Sequence, residues 1–373
     1  MNNEQLWQYR IALQFLPHIG NQNAKNLLAY IGDIEQIFRQ NTQQLMRIPG
    51  IGKIIAEKLP ASFKPALQRA EKELEFINKF QITPLFFTDS NYPMRLLECP
   101  DCPTLLYLRK EFDFKRPAKY LAVVGTRNAT PYGKDLTEKV ITELAQRHPD
   151  LVIVSGLAFG IDITAHRKAL DMNIPTIAVM GTGFDTIYPK EHKNTAISIM
   201  ENGALLTEFS AQTPGDKQNF VMRNRIIAGL SDAVLVAESA EKGGSLITAD
   251  LALSYNRDVF AFPGKVGEKT STGCNRLIKQ NKAALIEQAG DIEYQMNWES
   301  NQTSGQHKPA PSLFPMSPNE RKLYDLVHSA EKISLDQLVQ RTRMTASNIR
   351  SIMIELEFKG YVKSLPGNRY MAL

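Results

Sequence analysis

Six apolar, β-rich runs punctuate the middle of the chain: YLAVVG (120–125), LVIVSG (151–156), TIAVMG (176–181), ALLTEF (204–209), AVLVAE (233–238) and VFAFPG (259–264). They recur every 25 to 31 residues, and helical stretches lie between them. A continuous apolar run, with no polar alternation, suits a parallel strand covered by helices on both faces. The pattern therefore predicts an α/β domain over 81–300. Its leading stretch, 81–119, carries DSNYP (89–93) and CPTLLYL (102–108) and is expected to add a short strand or two to the same sheet. Four of the six runs end in glycine. In an open parallel sheet ligands bind beyond the carboxyl ends of the strands, and those glycines lie on that edge.

The flanks read differently. Residues 1–80 predict short helices, with two similar turns, LPHIG (16–20) before NQNAKNLLAYIG and IPGIG (48–52) before KIIAEKL. The second matches a helix-hairpin-helix turn of the SAM-like kind, in which free N–H groups at the helix start could hold a phosphate beside Lys53. The same turn also serves packed helices that make only protein contacts. Residues 301–317 are rich in proline with polar spacers, as a flexible linker would be. Beyond them NERKLYDLVHSA, SLDQLVQRTRM and TASNIRSIMIELEFKG predict three helices, and YVKSLPGNRYMAL a short hairpin, over 318–373. That is the order of a winged helix. Thr345 is expected to cap its third helix, with Ser347, Asn348 and Arg350 facing outward. Glu355 and Glu357 on the same helix would repel a phosphate backbone, which leaves protein docking open as its role.

Charge sharpens this division. Residues 1–80 hold 10 Lys/Arg against 7 Asp/Glu, residues 318–373 hold 9 against 6, and the middle holds 25 against 26. Basic ends around a neutral centre permit contacts with polyanions. At 373 residues, 43% hydrophobic and 22% charged, the chain can bury two or three cores. Three cysteines make no disulfide framework, and Cys99-Pro100-Asp101-Cys102 lacks the second pair that structural zinc needs, so packed thiols are expected. No signal peptide or membrane-spanning run is evident, and a cytoplasmic location is the expectation.

The chemistry concentrates on the carboxyl edge. Ser155, Asp162 and His166 lie close in sequence, but the G-x-S-x-G elbow is missing. Asp162 is expected to cap its helix or to pair with His166 four residues on. VVGTRNATPYG (123–133) stops a strand at a glycine as a phosphate site would, yet it is neither a Walker A nor a G-x-G-x-x-G sequence. No metal-binding motif is present either, so neither a nucleotide cofactor nor a metal is expected. What remains is a ring of phosphate binders: Gly125, Thr126 and Arg127 after the first run, Ser155 and Gly156 after the second, and Lys217, Phe220, Arg223, Asn224 and Arg225 after the fourth. Lys242, Gly243, Gly244 and Ser245 follow the fifth run, and Asn275 follows the sixth. Hydroxyls, main-chain N–H groups and long cations spread over several loops suit a chain of phosphates. An aromatic ring among cations, as at Phe220, is what a single strand with unpaired bases requires. The competing reading of the cations is salt bridging within the domain, and that of Phe220 a core position.

Six ordered blocks over 120–280 resemble the DNA processing protein A family, also called Smf: VVGTRNATPYG, VSGLAFGIDITAHRKAL, TIAVMGTGFDTIYP, NFVMRNRIIAGLS, GGSLITADLAL and FPGKVGEKTSTGCNRLI. The resemblance implies an extended Rossmann-like fold that binds single-stranded DNA without a nucleotide cofactor or catalysis. It also implies a homodimer and delivery of the RecA recombinase onto incoming strands in natural transformation. Gly125, Thr126 and Arg127 then inherit the family's backbone-contacting turn, and Lys217 and Phe220 its basic and aromatic DNA contacts. Cys274–Ala284 is a candidate for the dimer contact. The alternative is a Rossmann-like nucleotide phosphoribohydrolase, of which Gly243-Gly244-Ser245 is a partial signature. A protein-docking adaptor with an idle sheet edge is a third class.

Overall fold

All six apolar runs form strands of one sheet, as β3 (Lys119–Gly125), β4 (Leu151–Ser155), β5 (Thr176–Val179), β6 (Ala204–Thr207), β7 (Ala233–Glu238) and β8 (Asp258–Ala261). The computed structural model describes residues 2–298, 316–330, 333–342, 344–359, 361–365 and 369–372. Residues 1–301 and 302–373 form two separate compact units. The linker expected over 301–317 lies outside the described residues except for Met316 and Ser317.

In the first unit the sheet has nine strands in the order β1-β2-β6-β5-β4-β3-β7-β8-β9. The strands expected before β3 are β1 (Ile82–Phe86) and β2 (Leu105–Arg109), and both run antiparallel, β1 to β2 and β2 to β6. The other neighbours are parallel. β9 (Ala284–Leu285) is an addition, too short for any periodicity to announce. Alternate residues of each run serve opposite faces. Tyr120, Ala122 and Val124 of β3 share a core with Ile226 and Ile227 of one helix and Leu246 of another. Leu121 and Val123 pack instead with Val140, Leu144 and Ala165. Burial on both sides is why these strands show no alternation.

The order of the sheet has one turning point. From β3 the chain proceeds outward through β4, β5 and β6, then returns to place β7 on the other side of β3 and continues to β8 and β9. Among the described residues six α-helices precede β3, from α1 (Asn3–Ala12) to α6 (Met94–Leu97), and the parallel connections run through α7 (Pro131–Arg147), α8 (Ile161–Asp171), α9 (Lys193–Asn202), α10 (Lys217–Leu230) and α11 (Gly244–Ser254), with α12 (Thr272–Lys279) after β8. Loops on either side of a turning point diverge and leave a crevice at the carboxyl edge. Here it lies between β3 and β7.

Residues 1–80 form helices, the longest of them Lys53–Lys79, and Gly20 and Gly52 stand at the N-caps of helices Asn21–Ile31 and Lys53–Lys79 with no side-chain cap. Their apolar faces share a core with Ile82, Phe86, Tyr107 and Leu205 of the sheet. They also grip the segment that leads into α10. The buried Glu73 carboxylate accepts the Ala211 N–H at 2.9 and 3.2 Å, Arg69 donates to the Ala211 carbonyl at 2.9 Å, and Gln14 donates to the Glu208 carbonyl at 2.5 Å.

The second unit holds the three expected helices, Pro318–His328, Leu335–Thr342 and Ala346–Phe358, and the hairpin of Val362–Leu365 with Arg369–Ala372. A two-residue strand, Ile333–Ser334, extends that hairpin and was not foreseen. Thr345 caps the third helix by accepting the Asn348 N–H at 3.3 Å, and Ser347, Asn348, Arg350, Glu355 and Glu357 all face solvent. Cys99, Cys102 and Cys274 are free and buried, as expected of packed thiols.

Burial raises the Glu73 carboxyl above its ordinary value, against the pull of the Ala211 N–H. An acid raised in the folded state binds more protons there than in the unfolded chain, so its contribution to stability falls as pH rises through that window. Glu73→Gln keeps an acceptor for Ala211 and removes the charge. It is expected to melt at or above wild type at pH 8, with the advantage shrinking toward pH 5, in thermal scans at both pH values. A variant melting far below wild type at pH 8 would contradict this.

Candidate nucleic-acid interface

The loop after β3 is moored to β7 across the crevice. The Thr126 N–H donates to the Glu238 carbonyl at 2.7 Å, and the Glu238 carboxylate accepts both the Thr130 N–H and its hydroxyl at 2.8 Å. Glu238 is buried. Thr130 in turn caps α7, with Pro131 at the first helical position, so the strand-to-helix turn is closed at both ends. The loop after β4 presses on it from the other side, where the Ile161 N–H donates to the Thr126 carbonyl at 3.2 Å. Gly160 makes this approach possible. Its φ is +75°, and a Cβ there would stand 2.1 Å from the Thr126 oxygen.

Between these supports Arg127 projects into solvent, its guanidinium 5.7 Å from the centre of the Phe220 ring. Phe220 is half-buried one turn into α10, and Lys217, the first residue of that helix, is exposed. Asp216 caps α10 through the Asn219 N–H at 2.8 Å, which sets where the helix begins. Neither Arg127 nor Lys217 has a carboxylate within 4 Å among the described residues. Two unpaired cations beside an aromatic ring that packs over Gly181, at the end of β5, can hold phosphates and stack a base. On the other side Gly243 and Gly244 open α11 without a side-chain cap, and Lys242 and Gly244 are exposed. Asn224 is half-buried, its amide 3.4 Å from the Gly244 carbonyl.

Five of the expected contacts point inward, so their side chains do not face a ligand. Arg223 is 3% exposed, and one guanidinium nitrogen donates to both the Gly156 and the Val179 carbonyls. Periodicity places it three residues after Phe220, on the face of α10 turned to the sheet. Arg225 is bonded to the buried Glu208 carboxylate and to the Asp101 carbonyl, the salt-bridge reading of that cation. The Ser155 hydroxyl donates to the Val123 carbonyl at 2.6 Å and that of Ser245 to Ser239 at 2.9 Å. The Asn275 amide spans Gly264, with bonds of 3.0 and 2.9 Å to its N–H and carbonyl. These residues build the loops whose main chain and cations remain outside.

Asp162 departs from expectation as well. Gly160 holds the N-cap position of α8, and the Asp162 carboxylate reaches back to accept the Gly156 N–H at 3.1 Å. Burial pushes its carboxyl up while Arg223 pulls it back. His166 bonds Thr176 at 2.7 Å and not Asp162, and burial with the nearby Arg223 lowers its pKa to about 3. Ser155, Asp162 and His166 thus make no relay. Residues that the pattern did not single out are Glu238, whose carboxylate looked like the end of a strand, and Gly160, whose need for positive φ leaves no mark in sequence.

The same architecture recurs among known proteins. Residues 83–297 match the family model described as DNA recombination-mediator protein A. The chain belongs to that family. Residues 307–368 match the DprA winged helix domain, and 11–64 a SAM-like helix-hairpin-helix tandem. Among curated relatives, Protein Smf of Synechocystis sp. is 30% identical over 99% of both chains, and DNA processing protein DprA of Streptococcus pneumoniae is 38% identical over 68% of this chain and 89% of its own. The solved structure of the S. pneumoniae protein superposes with a TM-score of 0.65 at 33% identity, covering 79% of this chain and 98% of that one. A structure of Helicobacter pylori DNA processing protein A, described for its single-stranded DNA binding mode, gives 0.52 at 31% identity over 58% and 96%.

Arg223 supports the carboxyl edge from beneath. Arg223→Leu would leave the Gly156 and Val179 carbonyls without their donor and the buried Asp162 carboxylate without its counter-charge, a loss of about 3–5 kcal/mol. Urea unfolding should register it as a clear fall in midpoint. Undiminished stability together with weakened DNA binding would instead make Arg223 a direct contact.

Proposed function

We propose that this chain binds single-stranded DNA across the carboxyl edge of its sheet, without reading base sequence and without catalysis. The observation that carries the proposal is the unpaired Arg127 guanidinium set over the Phe220 ring at the carboxyl ends of β3 to β5, with Lys217 in the same turn of α10 as that ring. Arg127 can grip two oxygens of one phosphate, Lys217 supplies a point charge, and Phe220 offers a face for a base. The main-chain N–H groups of Gly243 and Gly244, the Thr126 hydroxyl and the side chains of Lys242 and Asn224 complete the cradle, while Gly125 pairs with β7 and the Thr126 and Gly156 N–H groups, bonded to Glu238 and Asp162, hold the loops in place. Ser155, Arg223, Arg225, Ser245 and Asn275 shape it from behind.

In this reading the bound strand is incoming DNA in natural transformation, and the protein is a homodimer that helps to load RecA. Support comes from the family's description as a recombination mediator and from the solved H. pylori relative. The edge strand β9 with the exposed Leu285, next to Cys274–Ala284, is the place for the dimer contact. No helix among the described residues is long and apolar enough to cross a membrane, which is compatible with cytoplasmic work.

Fluorescence anisotropy with a labelled single strand tests the core of this. Arg127→Ala is expected to cost about 2 kcal/mol, roughly thirtyfold in affinity, and duplex and mononucleotide should compete poorly. Equal competition by a mononucleotide would favour a nucleotide-binding enzyme, and a search for released base would decide it. Binding should weaken as salt rises, since phosphate contacts release counterions. Removing residues 318–373 should leave single-strand affinity within a few fold; loss of most binding would move the site to the winged helix.

A further inference from the structure

Exposed aromatic rings continue along the carboxyl edge beyond Phe220, and the cradle described above does not use them. Tyr188, in the loop after β5, is 45% exposed, and its ring centre lies 5.1 Å from that of Phe220. Phe159, in the loop after β4, is 41% exposed and stands edge-on to the buried His192 ring at 4.8 Å. Both loops are held firmly. The His192 main-chain N–H donates to the Pro189 carbonyl at 3.1 Å and its imidazole Nδ1 lies 2.7 Å from the Leu157 carbonyl, so this buried residue ties the Tyr188 segment to the Phe159 segment. Gly160, next to Phe159, lies against the Arg127 backbone. The rings of Phe220, Tyr188 and Phe159 therefore stand on one rim, fixed to the loop that carries Arg127.

Rings of this size are mostly buried, and solvent exposure of two neighbours on a fixed rim costs hydrophobic free energy that a ligand would recover. The charges nearby say which part of a strand they suit. Lys190 and Lys193 are exposed in this segment, but so are Asp185 and Glu191, two of each sign. Such a surface has no net attraction for phosphates, and its apolar ring faces match the faces of unpaired bases.

We infer that Tyr188 and Phe159 extend the strand's path past Phe220 by stacking bases, an inference that rests on the single-strand reading of this edge. The two parts of the path then differ in kind. Around Arg127 and Lys217 phosphates are held; along Tyr188 and Phe159 bases are held and phosphates are left in water.

The test compares full-length Tyr188→Ala, Phe159→Ala and Arg127→Ala by anisotropy with a labelled thymidine oligonucleotide across a range of salt. Each ring variant is expected to weaken binding about fivefold or more, the low end of a lost stack. The slope of log affinity against log salt should stay as in wild type, because no phosphate contact is lost, whereas Arg127→Ala should flatten it by about 0.7. An abasic strand of the same length should bind wild type and both ring variants alike. Phe159→Leu, which keeps apolar packing against His192, should melt as wild type does and still bind weakly, while Tyr188→Phe should bind normally. The inference is overturned if Tyr188→Ala and Phe159→Ala bind as wild type does, or if they flatten the salt slope. If the ring variants are silent and Arg127→Ala is weak, only the stacking path fails; if Arg127→Ala is silent too, the reading of the whole edge fails with it.

Discussion

One buried guanidinium sets the geometry of the carboxyl edge. Arg223 sits between the ends of β4 and β5, bonded to the Gly156 and Val179 carbonyls, and Asp162 offsets its charge while holding the Gly156 N–H. Gly156 admits it, since a Cβ there would stand 2.2 Å from the guanidinium. A buried charge is costly unless its donors and its counter-charge are met, and here the partners are the two loops that must stay in place. Because Arg223 lies one turn after Phe220, fixing it fixes the start of α10, and with it the ring that faces Arg127.

The rest of the molecule holds this arrangement from outside. Glu238 moors the Arg127 loop to β7, and the Glu73 and Arg69 side chains grip Ala211, five residues before the α10 cap. The N-terminal helices thus reach the functional edge through the main chain of one connecting segment. On the proposed function, an edge held this way receives a strand with little rearrangement, which lowers the ordering cost of binding.

The fold was largely legible because burial on both faces writes uninterrupted apolar runs, and all six became strands where they were read. The winged helix followed equally from helix spacing and from Thr345 as a cap. The site was legible in place but not in direction. Arg223 and Arg225 carry the same charge as Arg127, and sequence alone does not reveal that one lies under the sheet edge and the other against Glu208. Helical spacing held part of the signal, since Arg223 and Phe220 share a face. Two-residue strands such as Ala284–Leu285 are stabilised by register with neighbours, so they leave no periodic trace. Asp162 misled because a helix-start aspartate usually caps its own helix, whereas here it braces the preceding loop.

The central claim is that the strand lies on the carboxyl edge of the sheet, over the Arg127 loop and Phe220, and photocross-linking tests it most directly. A single strand bearing iodouracil, bound to the full chain and irradiated, should leave adducts on peptides containing Phe220 and on the loop of Gly125–Thr130. Adducts confined to residues 16–59 or 318–373, with the sheet edge unmodified, would contradict it.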